Sequence, residues 1–122
     1  DLSATYGTSI GENGYVAGGG GGATSTALYG SGGAGGGGTG EAYGYAWPAG
    51  KIQTGATNTG GGGGGDWWAG PATTGAHNGG SGVVLVKVPS TSTMSNITGS
   101  PNSYTVGTNT IYEFTGTGSF TL

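Results

Sequence analysis

The chain has 122 residues, of which 34 are glycine and only 6% are charged, with a net charge of −3 and no cysteine. Two cations, Lys51 and Lys87, cannot neutralise a phosphate backbone, which excludes nucleic acid as a partner. The lack of cysteine excludes disulfides and thiolate metal sites. No apolar run approaches the ~18 residues of a spanning helix, so the chain is read as not membrane-spanning.

All but four of the glycines lie between Gly7 and Gly82, the others being Gly99, Gly107, Gly116 and Gly118. The chain therefore divides into a glycine-rich region, 1–82, and a β-strand region, 83–122, expected to form one compact domain together. Because residue 1 is Asp, the reading is of a fragment or a processed product.

In chain order, the first motif is "GTSIG" at 7–11. It matches the G-x-S-x-G nucleophile elbow, and Ser9, Asp66 and His77 follow the hydrolase order. No apolar strand precedes it and no helix pattern follows, so it is a chance match in a glycine-rich chain. Glycine tracts then occupy 18–22, 35–38 and 60–65. They have no strict G-X-Y period, which excludes collagen. Between them, "GYAWPAGKI" at 44–52 places five residues between Gly44 and Gly50 where a P-loop needs four, and Ile52 stands where Ser or Thr is required.

Each interior glycine costs a helix about 1 kcal/mol relative to alanine, so helix is disfavoured. Extended threefold strands without side chains can instead pack backbone against backbone, each N–H and C=O bonding a neighbour. At about 3.1 Å per residue a six-glycine run reaches roughly 19 Å. The glycine-rich region is accordingly predicted to be a bundle of polyglycine-II-like helices. Aromatic residues at the tract boundaries would either cap it or project from loops.

In the second region "VVLVKV" at 83–88 reads as a strand ended by Pro89, and its nearly unbroken apolar run predicts burial on both faces. "SYTV" at 103–106 is a shorter strand. "TIYEFTGTGSFTL" at 110–122 reads as a C-terminal hairpin turning at 115–118, with Ile111 and Glu113 on one face and Tyr112 and Phe114 on the other. The fold class is all-β and irregular: a small antiparallel β-sheet or sandwich joined to the polyglycine-II-like bundle, with little or no α-helix.

No catalytic site emerges, and the chain is read as not an enzyme. The acids Asp1, Glu12, Glu41, Asp66 and Glu113 are dispersed in sequence and His77 is the sole histidine. That pattern supplies no metal site and no cofactor site. The candidate binding residues are Tyr43, Tyr45, Trp47, Asp66, Trp67, Trp68 and His77. They sit among small residues with turn chemistry, where flat apolar faces with polar edges suit sugars and other surfaces.

At "GGSGVVLVKV" (79–88) and "YEFTGTGSFTL" (112–122), with "GENGYVAGGGGGA" (11–23) and "GGAGGGG" (32–38) in the same style, the chain resembles the glycine-rich domains of bacteriophage tail fibres and related adhesins. The resemblance spans most of the chain, and its two strand motifs are the specific part. It implies a virion attachment protein in which packed polyglycine helices present variable loops to a host receptor. The partner would be a host-cell surface glycan or outer-membrane protein, and the place the virion, at a tail fibre or its tip, or another extracellular setting. It also implies a homo-oligomer or attachment to a fibre shaft. In one departure, the F-T-G-x-F-T strands here follow the glycine tracts rather than precede them. The alternative reading is a structural subunit of an extracellular or viral filament assembled through β-strand pairing, with the C-terminal hairpin supplying the strand.

Overall fold

The computed structural model describes residues 1–26, 28–42, 53–67 and 77–122. Its glycine-rich part is built from six extended segments: g1 (17–24), g2 (29–34), g3 (35–42), g4 (53–56), g5 (60–67) and g6 (77–82). Threefold helices make no internal hydrogen bonds, so their N–H and C=O groups point sideways and repeat every third residue. The observed bonds keep that period. From g1 to g3 they run Gly18 N–H to Gly35 O, Gly21 to Gly38 and Thr24 to Glu41, at 2.8–3.0 Å. Gly38 and Glu41 donate in turn to Gly62 and Gly65 of g5, and Gly62 and Gly65 donate back to Gly18 and Gly21. These three helices are thus parallel and close a ring of donors.

The other three helices run the opposite way. Gly30 and Gly33 of g2 donate to Gly22 and Gly19, and Gly40 and Gly37 donate to Gly30 and Gly33. Ala56 of g4 donates to Gly36, Gly64 donates to Gln53, Gly55 donates to Asn78, and Gly80 of g6 donates to Gly61. The pairings define two layers, g2–g3–g4 over g1–g5–g6. Glycine is required where helices touch: a Cβ on Gly20 would collide with the Gly63 carbonyl, whereas one on Gly19 meets nothing.

One end of the bundle is closed by polar side chains. The g2–g3 turn puts Gly35 and Gly36 at φ of +97° and +85°, and their successive N–H groups donate to the Glu12 carboxylate at 2.8 and 3.1 Å. Such an anion nest favours the charged carboxylate, and the bonds from Gly36 and then Gly35 hold Glu12 below the usual glutamate range. Glu12 itself opens a tight hairpin to Tyr15 whose central Asn13 and Gly14 both have positive φ, as a type I′ turn demands. Between g4 and g5, the buried Thr59 hydroxyl donates to the Ala56 carbonyl and accepts the Gly61 N–H. The Ser81 hydroxyl likewise accepts the Asn58 N–H and donates to its side chain.

From this same end the chain enters an antiparallel sheet of β1 (Val84–Pro89), β2 (Asn102–Val106) and β3 (Asn109–Phe114), in the order β1-β3-β2. Gly107, at φ +60°, turns β2 into β3. Alternation divides the sheet as expected: Tyr112 and Phe114 share one face, Ile111 and Glu113 the other. Val88, Met94 and Phe114, with Val86 and Tyr112, form the apolar core on the first face. On the second, Ile111 is fully buried, and Gly7, which follows the short helix α1 (Ser3–Tyr6), lies against Val106 and Tyr104.

Two strand expectations are corrected. The apolar run at 83–88 is not buried on both faces: β1 is an edge strand and Val84 is 61% exposed. Its valines reflect one packed face and one free edge. The C-terminal hairpin does not form either. β3 lies between β1 and β2, while 119–121 pairs with the 95–98 segment through Thr98 N–H to Ser119 O and reciprocal Ser95–Thr121 bonds. Gly116 and Gly118 turn the chain away from β3, which lets Phe120 return onto Phe114 with ring centres 6.0 Å apart.

Two predictions follow from the bundle. Gly20→Ala should cost at least about 2–3 kcal/mol, because backbone must move, whereas Gly19→Ala should be neutral or stabilising by up to about 1 kcal/mol; paired denaturation curves decide, and equal effects would refute the packing. Because Glu12 is lowered in the folded state, its contribution is present above the ordinary glutamate pKa and lost as pH falls through the depressed value. Glu12→Gln should therefore lower the melting temperature near neutral pH, with the two proteins converging in acid.

Candidate functional site

The direction of the six helices places three connections at the end of the bundle away from the sheet. Helices g1, g3 and g5 run toward this end, and g2, g4 and g6 run back from it. The stretches between Thr24 and Leu28, Ala42 and Gln53, and Trp67 and His77 therefore all begin and finish there, tied by the Thr24–Ala42 bridge and the Glu41 N–H to Gly65 O bond of 2.9 Å.

Glycine tracts end here in acids. Glu41 follows the g3 glycines and Asp66 follows the six-glycine run of g5, and the shared threefold register brings them side by side. The Asp66 carboxyl beside it is the main reason Glu41 is held above the usual glutamate range, helped by partial burial. The Trp67 N–H, 3.3 Å from Glu41 Oε2, and the nearby His77 act in the opposite sense. His77 is half-buried, and its Nε2 is shielded from solvent with no hydrogen-bond partner among the described residues. Leu28 is 81% exposed in the g1–g2 connection at the same end.

Of the residues singled out in the sequence, Asp66, Trp67 and His77 are brought together here, the first two on g5 and the third at the start of g6. The Trp67 residue is half-buried. Tyr43, Tyr45, Trp47 and Trp68 lie outside the described residues. Glu41 was missed. Its signal is visible in retrospect: "GTGE" and "GGGD" are the same device, a glycine helix closed by an acid. The acids are thus not all dispersed in space. Ser9, by contrast, belongs to the N-terminal segment that packs at the other end, so the apparent hydrolase order gathers no triad.

Chemically, the end offers two neighbouring carboxyl groups, an imidazole and indole surface. This set can both donate to and accept from hydroxyl groups and can stack on an apolar ring face. Among the described residues no three His, Asp or Glu side chains are grouped to hold a metal ion. No protein-family model matches the chain, no curated protein matches it in sequence, and no solved structure matches it in fold.

The carboxyl pair gives a signed pH prediction. A raised folded-state pKa makes the Glu41 contribution full below the ordinary glutamate value and progressively lost as pH rises through the raised one. Glu41→Gln keeps a donor to Asp66 without a titrating group. Its melting temperature should fall less than that of the parent chain as pH rises above the ordinary glutamate value; parallel curves would show that Glu41 is not raised in the folded chain.

Proposed function

We propose that the chain is a receptor-binding module of the phage tail-fibre or adhesin type, attaching to a bacterial surface glycan or outer-membrane protein. One observation carries this reading. A rigid, hydrogen-bonded rod sends all three of its longer connections from a single end, and the sequence places every tryptophan in or beside two of them, at Trp47, Trp67 and Trp68. Binding sites are commonly carried by loops on a rigid scaffold, because only there can side chains vary without cost to the fold. The glycine bundle takes this to its limit, since its interior uses almost no side chains.

A glycan suits the chemistry of this end. Indole faces stack on the apolar faces of sugar rings, while Glu41 and Asp66 accept from ring hydroxyls. The sheet lies at the opposite end and leaves that side for attachment to a shaft or to further copies. Several copies on one virion fibre would multiply a weak contact by avidity.

The test is binding of the labelled chain to a panel of bacterial strains, in monovalent and multivalent display. Strain-selective binding is expected, reduced at least about tenfold by Trp67→Ala/Trp68→Ala with folding unchanged, and unaltered by Gly19→Ala. Absence of binding to every strain, even in multivalent display, would overturn the reading.

A further inference from the structure

We infer that β1 is the surface through which a second copy of this chain docks, as an antiparallel β1–β1 pair about a two-fold axis centred on Val86. The inference concerns the sheet and is independent of the receptor-binding reading. β1 is an outer strand, and among the described residues nothing pairs with its free side. The Ser90 N–H donates to the Thr108 carbonyl, in phase with the β1–β3 register. In antiparallel pairing this parity points Val84, Val86 and Val88 backbone groups toward β3 and those of Leu85 and Lys87 outward. Pro89 shares the outward parity, where its missing N–H costs the sheet no bond. Leu85 and Lys87 are thus a ready template for another strand.

The neighbouring surface is apolar and open. Val84, 61% exposed, lines a cavity of about 100 Å³ with Phe114, Gly116, Gly118 and Phe120. Charge complementarity points to a second copy of this chain and limits the register. A register centred on Lys87 would set two ammonium groups directly opposite, which is unfavourable. Centring on Val86 instead pairs Leu85 with Lys87 of the second copy in both halves, so their outward N–H and C=O groups exchange four bonds. It also sets each exposed Val84 against Val88 of the other copy.

Lys87 already lies diagonal to Glu113 on the same face of its own sheet, Ile111 being opposite Lys87 and Glu113 opposite Leu85, and in this arrangement that carboxylate faces a second lysine. Glu113 lies opposite Leu85 within each sheet, so the Lys87 of the second copy stands two strands from Glu113 on the same face, about 9–10 Å away at the Cα positions. A lysine stem laid over Leu85 spans that distance and carries its ammonium to the carboxylate. The contact occurs twice, and the result is a continuous six-stranded sheet, β2-β3-β1 joined to its two-fold mate.

Sedimentation of the whole chain over a concentration series tests the proposal. A monomer–dimer equilibrium is expected. Lys87→Pro removes only an outward N–H and should abolish the dimer while leaving the circular dichroism and melting temperature of the monomer intact. Lys87→Glu should weaken dimerisation about tenfold by replacing two attractive contacts with repulsive ones, and Lys87→Glu/Glu113→Lys should restore it. If Lys87→Pro does not fold, the charge pair and amide exchange decide: the Leu85 and Lys87 amides should become protected as concentration rises. A chain that stays monomeric to about 1 mM, a dimer indifferent to these substitutions, or Leu85 and Lys87 amides whose exchange ignores concentration would each overturn it.

Discussion

Everything in this structure hangs on hydrogen bonds between backbones that have no side chains between them. In most domains apolar burial offsets the entropy of ordering the chain. Here the buried apolar residues outside the sheet and the cluster packed on it are few: Ile10 and Ala42 among those described. Glycine loses more backbone freedom than any other residue on folding, but it loses no side-chain freedom at all. Its lack of a Cβ lets six extended helices approach closely enough that N–H and C=O groups find partners on several sides. The donor ring from g1 to g3 to g5 and back to g1 repeats every third residue. Each bond is worth only about 1 kcal/mol net, so stability rests on their number and on the dense packing that excludes water.

Such a lattice is vulnerable at its ends, where the threefold register runs out and backbone groups lose their partners. The chain closes the sheet-proximal end with Glu12, Thr59 and the Asn58–Ser81 pair. Each does for a polyglycine helix what capping side chains do for an α-helix. The other end is finished differently. Glu41 and Asp66 terminate two parallel helices side by side, and Glu41 is held above the usual glutamate range, in a setting where a carboxyl pair is less comfortable than a capped turn. Natural chains concentrate such departures from the most stable arrangement at functional ends. The contrast between an end tied by side-chain hydrogen bonds and an end bearing Glu41, Asp66 and the longer connections gives the rod a direction.

The β-sheet supplies what the bundle lacks, a conventional apolar core around Val88, Met94 and Phe114. With three strands and one packed cluster it sits at the lower limit of independent stability. The N-terminal segment joins the two architectures: Gly7 lies against Tyr104 and Val106 of β2, while Glu12 grips the g2–g3 turn. Folding of the glycine helices and of the sheet is thereby coupled through the first sixteen residues.

By itself the sequence determined the kind of material. Glycine tracts exclude helix and admit threefold packing. The alternation of Ile111, Tyr112, Glu113 and Phe114 defines the faces of β3. Charge and composition leave only two cations to face any phosphate backbone, and aromatic residues lie beside the tract ends. Those properties are local, set by propensity and period. What tertiary structure decided was who meets whom. Only the register of the bundle puts Glu41 beside Asp66, residues separated by a whole connection and another helix. Only strand order makes β1 an edge, although its valines read as a fully buried strand, and only the return of 119–121 to Ser95 and Thr98 dissolves the C-terminal hairpin. Glycine carries no pattern by which a sequence could announce its neighbours. In a fold held by backbone bonds, pairing is settled by geometry in three dimensions, and the side chains that reveal it are the few at the ends.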